Sequence, residues 1–257
     1  MITSASNPRV KWVRALQTRR SSRSGEAAYV VEGERMAREV LAAGTPARAV
    51  FYTEHLDARG RGLVNSLQRA GASAEPVSEP AMAAMSATDT PPGLLVVLPI
   101  PEPTLQAPIT LAVIADRMAD PGNLGTLIRT CRAAGVQALL LSEGTVDPYN
   151  PKVVRAAMGA HLHLPILSLG TDEILQRLQG VPLWLAEARQ GAVYHRVDWR
   201  LPAGLVIGGE AAGASEALRA ASQGTVHIPL RGGTESLNAA IAAAVILFEI
   251  ARQRGNA

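Results

Sequence analysis

Residues 111–130 read LAVIADRMADPGNLGTLIRT, and this stretch decides the fold. It begins with the apolar run Leu111–Ala115, which is typical of a strand buried on both faces of a parallel sheet. A polar loop containing proline and glycine comes next. After the loop, apolar side chains recur at the spacing of one helix face, at Leu124, Leu127, Ile128 and Cys131. The stretch therefore predicts a strand, a loop and a helix, which is the repeating unit of a parallel α/β sheet.

Further apolar runs follow along the chain, with helical patterns between most of them. The predicted strands are Ala138–Leu141, His161–Ile166, Leu183–Ala186, Leu205–Ile207 and Val226–Ile228. A final helix is predicted from about Ser236 to Arg252. This alternation indicates an α/β domain over residues 109–257, in which helices cover both faces of a parallel sheet.

A second, smaller α/β domain is predicted upstream. Residues 99–108 read PIPEPTLQAP, and so much proline favours an extended linker that neither a helix nor a central strand can include. Residues 1–98 alternate short strands with helices. The predicted strands are Ala28–Val31, Ala49–Tyr52 and Leu94–Leu98, and the predicted helices are Glu34–Ala43 and Gly62–Ala70. A glycine that can end the helix follows each of them.

The composition excludes several classes of protein. Hydrophobic residues make up 47% of the 257 residues, which excludes an intrinsically disordered chain. The longest nearly unbroken apolar run, Ala239–Phe248, is too short to span a membrane, and the first residues contain no apolar signal core. The single cysteine, Cys131, cannot form an internal disulfide. We therefore expect a cytoplasmic protein.

Metal binding is not expected from this sequence. His161 and His163 alternate in a predicted strand and would share one face, but no third ligand lies near them in the sequence. Cys131 lies on the apolar stripe of its predicted helix. It is therefore interpreted as a core residue rather than a nucleophile.

Positive charge is concentrated at the start of the chain. Residues 1–24 contain six basic residues and no acidic residue, whereas the remaining chain carries 19 basic and 22 acidic residues. The six are Arg9, Lys11, Arg14, Arg19, Arg20 and Arg23. Such a basic segment can bind the phosphates of RNA or can be a solvated tail, and charge alone leaves both open. Trp12 within it can stack on a base or anchor the segment.

Three loops after predicted strands hold the glycines and the polar residues best suited to chemistry. They are residues 116–130, 208–215 and 229–238. Because ligands of an open parallel sheet bind at the carboxyl ends of its strands, these loops are predicted to form the site. Neither G-x-G-x-x-G after the first strand nor G-x-x-x-x-G-K-[ST] occurs. This argues against a Rossmann dehydrogenase, an ordinary Rossmann methyltransferase and a P-loop enzyme.

The same loops contain three motifs that resemble those of a known family. The first motif is carried by Asp120, Pro121, Gly122, Asn123, Gly125, Arg129 and Thr130. The second is carried by Gly208, Glu210 and Gly213, and the third by Ile228, Pro229, Ser236, Leu237 and Asn238. With the segment YNPKVVRAAMGA at 149–160, they make residues 109–252 similar to the SpoU/TrmH family of the SPOUT superfamily. TSASNPRVKWVRAL and VVEG, within residues 3–98, look like the small substrate-recognition domain of that family.

This resemblance implies a fold, a reaction, a cofactor and partners. The fold is an α/β SPOUT methyltransferase domain with a C-terminal trefoil knot, preceded by a small α/β domain that recognises the substrate. The reaction is methyl transfer from S-adenosylmethionine to a ribose 2′-hydroxyl of structured RNA. We expect this RNA to be ribosomal RNA rather than transfer RNA. The family works as a homodimer, and no metal is implied.

The resemblance also implies roles for particular residues. The catalytic residues would be Asn123, Arg129, Glu210, Ser236 and Asn238. The cofactor would be held by Gly208, Gly209, Ile228, Leu230, Leu237 and Asn238. RNA would be bound by the six basic residues of the first segment together with Lys152 and Arg155. Ordinary structural roles remain open for the polar residues, since asparagine and serine can cap helices and a loop glutamate can be solvated.

In this family, the arginine of the first motif, which Arg129 matches, is commonly assigned the role of general base. A guanidinium, however, stays charged and has no lone pair with which to accept a proton. We therefore interpret Arg129 as a clamp on the phosphate beside the target ribose, whose charge stabilises the developing alkoxide. The proton would leave to water or to Glu210, and Glu210 can alternatively form an ion pair with Arg129.

Two other functions are compatible with the same motifs. One is an RNA-binding ribosome-assembly factor that has this fold and little or no activity. The intact set of Asn123, Arg129, Glu210 and Asn238 argues against it. The other is an antibiotic-resistance methyltransferase that modifies one ribosomal nucleotide, which is the same chemistry with a different biological purpose.

Overall fold

Two sheets organise the chain in the computed structural model, which describes residues 1–105, 107–210 and 213–255. Each sheet belongs to one of two units. The first unit contains Met1–Glu102 and Tyr149–Leu162, and the second contains Pro103–Pro148 and His163–Ala257. No helix in the described part of the chain is long and apolar enough to cross a membrane.

Helices and strands alternate along most of the chain. The helices are α1 (Pro8–Thr18), α2 (Arg20–Glu26), α3 (Glu34–Ala42), α4 (Ala58–Arg69), α5 (Glu79–Met85), α6 (Pro121–Ala133), α7 (Pro151–Ala157), α8 (Thr171–Arg177), α9 (Glu216–Ala221) and α10 (Ala239–Gln253). The strands are β1 (Ala28–Glu32), β2 (Ala49–Tyr52), β3 (Ser73–Pro76), β4 (Leu94–Pro99), β5 (Leu111–Asp116), β6 (Ala138–Leu141), β7 (Ile166–Ser168), β8 (Leu183–Ala186), β9 (Ala192–Val193), β10 (Ala203–Gly208) and β11 (Gly224–His227). Short 3-10 turns occur at Ala160–Leu162 and Tyr194–Arg196.

The sheet of the first unit has the strand order β1-β4-β2-β3. β4 pairs antiparallel with β1 and β2, and β2 pairs parallel with β3. Successive side chains of a strand point to opposite faces, and here both faces are buried. Val30 and Phe51 share one core cluster with residues of α1 and α5. Tyr29 and Val50 share the other with residues of α3 and α4.

The sheet of the second unit is parallel throughout, in the order β7-β6-β5-β10-β8-β11-β9. β5 lies between β6 and β10, and all its residues are buried, which explains its apolar sequence. The strand order reverses between β5 and β10, because β6 and β7 lie on one side of β5 whereas β8 to β11 lie on the other. A ligand cleft is expected at such a switch point, outside the carboxyl ends of the strands.

The predicted parallel α/β sheet and the small α/β unit before it are confirmed, whereas the predicted domain bounds stay predictions. β2, β6 and β8 have the predicted bounds, and β5 and β10 extend slightly beyond theirs. Residues 149–160, which the resemblance places in the methyltransferase domain, lie in the first unit. The linker at 99–108, in which residue 106 lies outside the described part of the chain, stays a prediction, as does the trefoil knot.

The strand predicted at His161–Ile166 is wrong. Met158 and Gly159 have positive φ angles of 52° and 90°, so the backbone turns after α7 rather than entering a strand. A 3-10 turn follows, and β7 begins only after it. The buried ring of His161 packs 5.5 Å from that of Tyr149. The two histidines of this segment therefore do not share a strand face.

The basic segment at the start of the chain is helical, a feature that its charge alone does not predict. Asn7 caps α1, and its side chain accepts the backbone N–H of Arg9 at 2.8 Å. Val10, Val13 and Leu16 of α1 are buried in the core of the first unit. Sequence reasoning also misses β3 and α5, whose sequences SAEP and EPAMAAM contain proline and are too short to show a clear period.

The apolar stripe predicted on α6 is buried, including Leu124 and Leu127. Cys131 lies on this stripe, and burial raises the pKa of its thiol, which agrees with its interpretation as a core residue. The last helix begins at Ala239, three residues later than predicted, because Asn238 is its cap. The change matters for the site, since it leaves the residues before Asn238 in a loop.

Candidate active site

A cavity of about 430 Å³ opens among the loops that follow β8, β10 and β11, beside the first turns of α10. Its lining residues are Ala186, Glu187, Ala188, Ile207, Gly208, Gly209, Glu210, Gly213, Ala214, Ile228, Leu230, Ser236, Leu237, Asn238, Ala239, Ala242 and Ile246. All six residues that the resemblance assigns to cofactor binding are among them. Sequence reasoning misses the loop after β8, residues 186–188, because no glycine marks it.

Two glycines let the loop after β10 run close to its neighbours. A Cβ atom on Gly208 would lie 2.4 Å from the backbone nitrogen of Ala214, and one on Gly209 would lie 2.4 Å from the carbonyl oxygen of Arg117. Because both neighbours are backbone, any larger residue would displace the loop. Residues 211–212 of this loop lie outside the described part of the chain.

A buried carboxylate secures the same loop. Asp116, the last residue of β5, accepts hydrogen bonds from Oγ of Ser142 and from the backbone N–H of Ser215, both at 2.5 Å. Both carboxylate oxygens are used, so Asp116 ties the loop after β10 to the ends of β5 and β6. Sequence reasoning misses this role, although an acidic residue directly after an apolar strand is a visible signal.

Asn123, Glu210 and Asn238 are joined by side-chain hydrogen bonds. Nδ2 of Asn123 donates to Oε1 of Glu210 at 2.5 Å, and Nδ2 of Asn238 donates to Oδ1 of Asn123 at 2.7 Å. These pairs are separated by 87 and 115 positions in the sequence. The three motif loops therefore converge on one hydrogen-bond chain, and two of its members line the cavity.

The direction of this hydrogen-bond chain follows from the helix that Asn238 caps. Oδ1 of Asn238 accepts the backbone N–H groups of Ala240 and Ile241 at 3.0 and 3.2 Å. Its Nδ2 must therefore face Asn123, whose own Nδ2 is left to face Glu210. The positive end of α10 lies at one end of this series of hydrogen bonds and the carboxylate of Glu210 at the other. Every hydrogen bond in the series is therefore polarised in the same direction.

The sequence left open that Asn123 and Asn238 only cap helices, and just one of the two is a cap. Asp120 is the cap of α6 and accepts the backbone N–H of Asn123 at 2.7 Å. Asn123 lies in the first turn, where its side chain is free to contact Glu210 and Asn238. Asn238 both caps α10 and takes part in the hydrogen-bond chain. Ser236 is not a cap but lines the cavity from the exposed loop before α10.

Arg129 is exposed on α6 and is not among the described residues that line the cavity. Its guanidinium has no hydrogen bond or ion pair within the described part of the chain. The ion pair between Arg129 and Glu210 that the sequence left open is not formed among the described residues, where Oε1 of Glu210 is bonded to Asn123 instead. The guanidinium is thereby available to an anionic ligand.

The cavity carries negative charge. Its described lining includes the carboxylates of Glu187 and Glu210 and no basic side chain, and most of the remaining wall is apolar. Glu187 forms an ion pair with Arg219 at 2.6 Å. Among the described residues, the side chain of Glu210 is bonded only to the neutral amide of Asn123. Such a cavity suits a ligand that combines an apolar ring with a positive charge.

The predicted RNA-binding residues of the first unit are mostly exposed. The exposed ones are Lys11, Arg14, Arg19, Arg20, Lys152 and Arg155. Arg9 is half-buried, forms an ion pair with Glu75 at 2.6 Å and lies over the ring of Trp12. Trp12 itself packs against the core of the first unit, which favours an anchoring role over base stacking.

Arg23 is buried, which contradicts its prediction as an RNA contact. Its Nη1 donates to the carbonyl oxygen of Leu16 at 2.7 Å, near the end of α1. In this position the guanidinium cannot reach a phosphate at the surface. Arg23 instead links α2, on which it lies, to α1.

The fold and the cavity define an α/β protein with a cavity at the carboxyl ends of β8, β10 and β11, on one side of the switch point of a parallel sheet. The SpoU rRNA Methylase family model matches residues 110–248, and the model of the MRM3-like substrate binding domain matches residues 7–96. The chain therefore belongs to the SpoU rRNA methylase family.

Relatives with assigned reactions match almost the whole chain. The 23S rRNA (guanosine(2553)-2′-O)-methyltransferase RlmP of Bacillus subtilis is 32% identical, over 97% of this chain and 98% of the relative. The 23S rRNA (uridine(2479)-2′-O)-methyltransferase of Streptomyces viridochromogenes is 30% identical, over 96% of this chain and 91% of the relative.

Solved structures agree with this assignment. The SpoU methyltransferase AviRb from Streptomyces viridochromogenes, in complex with the cofactor AdoMet, superposes with a TM-score of 0.89 and 27% identity, covering 96% of this chain and 98% of the other. The AdoMet-bound rRNA methyltransferase from Sinorhizobium meliloti superposes with a TM-score of 0.86 and 29% identity, covering 98% and 97%.

Proposed function

We propose that this protein transfers a methyl group from S-adenosylmethionine to a ribose 2′-hydroxyl of ribosomal RNA. Membership of the SpoU rRNA methylase family and the reactions named for its relatives support this proposal. The observation that carries it is the hydrogen-bond chain from Asn238 through Asn123 to Glu210 at the wall of the cavity. These features support a cofactor site in the cavity and a catalytic role for the carboxylate beside it.

The cavity fits S-adenosylmethionine in size and in chemistry. Its volume of about 430 Å³ lies within the range of small-molecule sites. The glycines of the loop after β10 leave backbone groups uncovered, and Ile228, Leu230 and Leu237 offer apolar surface for an adenine ring. The negative charge of Glu210 suits a sulfonium. When bound, the cofactor supplies the electrophilic methyl group.

Arg129 holds the RNA in the proposed mechanism. Its exposed guanidinium grips the phosphate beside the target ribose through paired hydrogen bonds. The reaction needs the 2′-oxygen held in line with the methyl carbon, so this grip lowers the barrier by orientation. The positive charge of Arg129 also stabilises the alkoxide that develops as the proton leaves.

Glu210 accepts the proton of the 2′-hydroxyl in this proposal. Asn123 holds Oε1 of Glu210, and Oε2 has no hydrogen bond within the described part of the chain. Water is the alternative acceptor. Substituting Glu210→Gln distinguishes the two, because the amide keeps the shape of the side chain but cannot take the proton. At saturating S-adenosylmethionine, turnover falls if Glu210 is the acceptor and is retained if water is.

The proposal includes a homodimer. Leu237, Ile241 and Phe248 are 37%, 50% and 53% exposed. Ile241, Val245 and Phe248 recur at i, i+4 and i+7 and so form one stripe of α10. Exposed apolar side chains that share one helix face suit an interface with a second copy of the chain. The proposal also includes a cytoplasmic location, because a lone buried thiol at Cys131 suits a reducing compartment.

The direct test incubates purified protein with labelled S-adenosylmethionine and total ribosomal RNA from a source that lacks the modification. We expect label in the RNA, and mapping of the product is expected to place it on one ribose. Asn123→Ala serves as the inactive control. Calorimetry with S-adenosylmethionine separates the alternative function, because an inactive assembly factor would bind RNA without binding cofactor. Cofactor binding without transfer to any RNA would overturn the proposed reaction.

A further inference from the structure

A second cavity, of about 270 Å³, lies within the first unit. It is formed by residues of α1, β1, α3 and α7 and of the segment between α5 and β4. The lining residues are Gln17, Val30, Glu32, Arg35, Met36, Thr88, Thr90, Pro92, Pro151, Val154, Arg155 and Met158. We refer to it as the α3–α7 cavity. The three loops that form the candidate methyl-transfer site contribute no residue to it, whereas Pro151, Val154, Arg155 and Met158 come from the segment at 149–160.

Gln17 gives the α3–α7 cavity a buried polar group with unused hydrogen-bonding capacity. Gln17 is only 7% exposed. Its Nε2 donates to Oε1 of Glu32 at 2.6 Å, but its Oε1 has no partner within the described part of the chain. This oxygen keeps accessible surface, and Gln17 lines the cavity, so the oxygen is free to accept a hydrogen bond from a ligand there.

Glu32 cannot be that ligand's main partner, because its carboxylate is already occupied. Oε1 of Glu32 also accepts the backbone N–H of Ala87 at 2.8 Å, and Oε2 accepts Oγ of Ser86 at 2.6 Å. These bonds hold the carboxylate and, through it, the donor end of Gln17. The carbonyl end of Gln17 is thereby fixed in direction before any ligand arrives.

The rest of the α3–α7 cavity is apolar with two cations. Val30, Met36 and Val154 contribute apolar wall, and methionine adapts readily to a flat ring. Arg35 and Arg155 also line the cavity, and both are exposed. The cavity is smaller than the sites that hold drug-sized ligands, which begin at about 300 Å³. Its chemistry fits a small flat ring with polar edges that carries a negative group outside.

We propose that the α3–α7 cavity takes one unpaired nucleotide of the RNA substrate. The base enters the apolar space, Oε1 of Gln17 accepts a hydrogen bond from an N–H group on its edge, and Arg35 and Arg155 contact the flanking phosphates. Recognition of RNA sequence depends on such unstacked bases, so this cavity would contribute to the choice of substrate. The inference rests on the proposed RNA substrate of this protein.

Two arginines of α3 provide a matched test. Arg35 and Arg38 are both exposed and lie one turn apart, but only Arg35 lines the cavity. Arg35→Ala is expected to raise KM for ribosomal RNA about tenfold, with kcat and cofactor affinity unchanged. Arg38→Ala removes the same charge and is expected to raise KM much less. If the two substitutions raise KM equally, Arg35 only contributes to the general attraction between positive charge and RNA, and the proposal is overturned.

A second pair of variants tests occupation of the cavity itself. Met36 and Leu41 are both half-buried on α3 against the same core cluster, but only Met36 lines the cavity. Ligand-observed NMR on the full-length protein uses the four ribonucleoside 5′-monophosphates as probes, with excess S-adenosylmethionine to block the other cavity. We expect signals from base protons with the wild type and with Leu41→Trp, and none with Met36→Trp. Signals that survive in Met36→Trp would overturn the proposal.

Failure of this inference and failure of the proposed function give different results. If Met36→Trp and Arg35→Ala methylate ribosomal RNA with unchanged KM, the cavity is not a nucleotide site, and the proposed reaction stands. If the wild type methylates no RNA but binds a nucleoside monophosphate that Met36→Trp does not bind, the nucleotide site stands and the proposed reaction fails.

Discussion

Nδ2 of Asn238 lies 2.7 Å from Oδ1 of Asn123, and this hydrogen bond joins two loops that are 115 positions apart in the chain. Asn238 also caps α10, so the position of the last helix and the orientation of Asn123 are coupled. Asn123 in turn orients Glu210. A change at the helix cap is therefore expected to reach the carboxylate without any change in fold.

Substituting Asn238→Asp separates capping from catalysis. A carboxylate still accepts the backbone N–H groups of α10, so the free energy of unfolding is expected to stay within about 0.5 kcal/mol of wild type. The donor to Asn123 is lost, so kcat is expected to fall about 100-fold. Asn238→Ala loses both roles and is expected to cost about 1 kcal/mol of stability as well. Urea denaturation and single-turnover methylation measure the two effects, and an Asn238→Asp variant with normal turnover would contradict the role of the hydrogen-bond chain.

Substituting Gly209→Ala tests the close approach of the loop after β10. The added Cβ would lie 2.4 Å from the carbonyl oxygen of Arg117, so the loop must move away from β5. We expect affinity for S-adenosylmethionine, measured by calorimetry, to fall at least about tenfold. Gly62→Ala is the control, because nothing lies within 4 Å of its Cβ position and it lies inside α4. That control is expected to gain about 0.5–1 kcal/mol of stability and keep cofactor affinity.

Substituting Arg129→Lys tests the phosphate clamp. Lysine keeps the charge but loses the planar pair of donors, so kcat/KM for RNA is expected to fall at least about tenfold. Arg132→Lys makes the same change at an exposed position of the same helix and is expected to leave kcat/KM unaltered. Near-normal activity of Arg129→Lys would show that the geometry of the guanidinium is unimportant.

Neutralising Arg19 and Arg20 tests the basic segment. Both are exposed, and a Gln substitution at each is expected to weaken RNA binding and lower its salt-dependence slope by about 1.4–1.8, with cofactor affinity unchanged. Arg59 and Arg61, exposed on or beside the first turn of α4, are the matched pair whose neutralisation is expected to have little effect. Filter binding over a range of salt concentrations measures both slopes. Identical slopes for the two double variants would remove the basic segment from the RNA-binding surface.

Substituting Asp116→Asn tests the hydrogen bonds that anchor the loop after β10. An amide can accept only one of the two hydrogen bonds that Asp116 now accepts from Ser142 and Ser215. Leaving a buried donor unpaired is expected to cost about 1–3 kcal/mol of stability and to weaken cofactor binding. Thermal denaturation with and without S-adenosylmethionine measures both. Ser142→Ala removes one donor rather than an acceptor and is expected to cost less.

Much of the fold could be predicted from the sequence. The all-buried strand β5 is an unbroken apolar run, and the helix after it shows its buried stripe at regular spacing. The two elements could be predicted because the signals are local and strong. The strand proposed at His161–Ile166 failed because Met158, a residue that rarely adopts positive φ, turns the backbone there. Gly159 is a visible turn signal in that segment, whereas Met158 gives none.

The sequence predicted which residues form the candidate site but not which of their side chains contact one another. The glycines and the residues assigned to cofactor binding were recognisable because each motif is a short local stretch of sequence. The partner of Glu210 was not recognisable from the sequence. Asn123 and Arg129 both lie on α6, and only the orientation of that helix decides which of them the carboxylate contacts. The same holds for Arg23, whose burial depends on how α2 packs against α1.

By itself, the sequence determined most strands and helices of the parallel sheet, the glycine loops at the strand ends and the family, because these depend on residue type and spacing along the chain. Only the tertiary structure decided which side chains meet: the hydrogen bonds of Asn123, the anchoring by Asp116 and the α3–α7 cavity. Each of these joins segments distant in the sequence, and their contacts depend on packing to within a few tenths of an ångström, which local patterns do not encode.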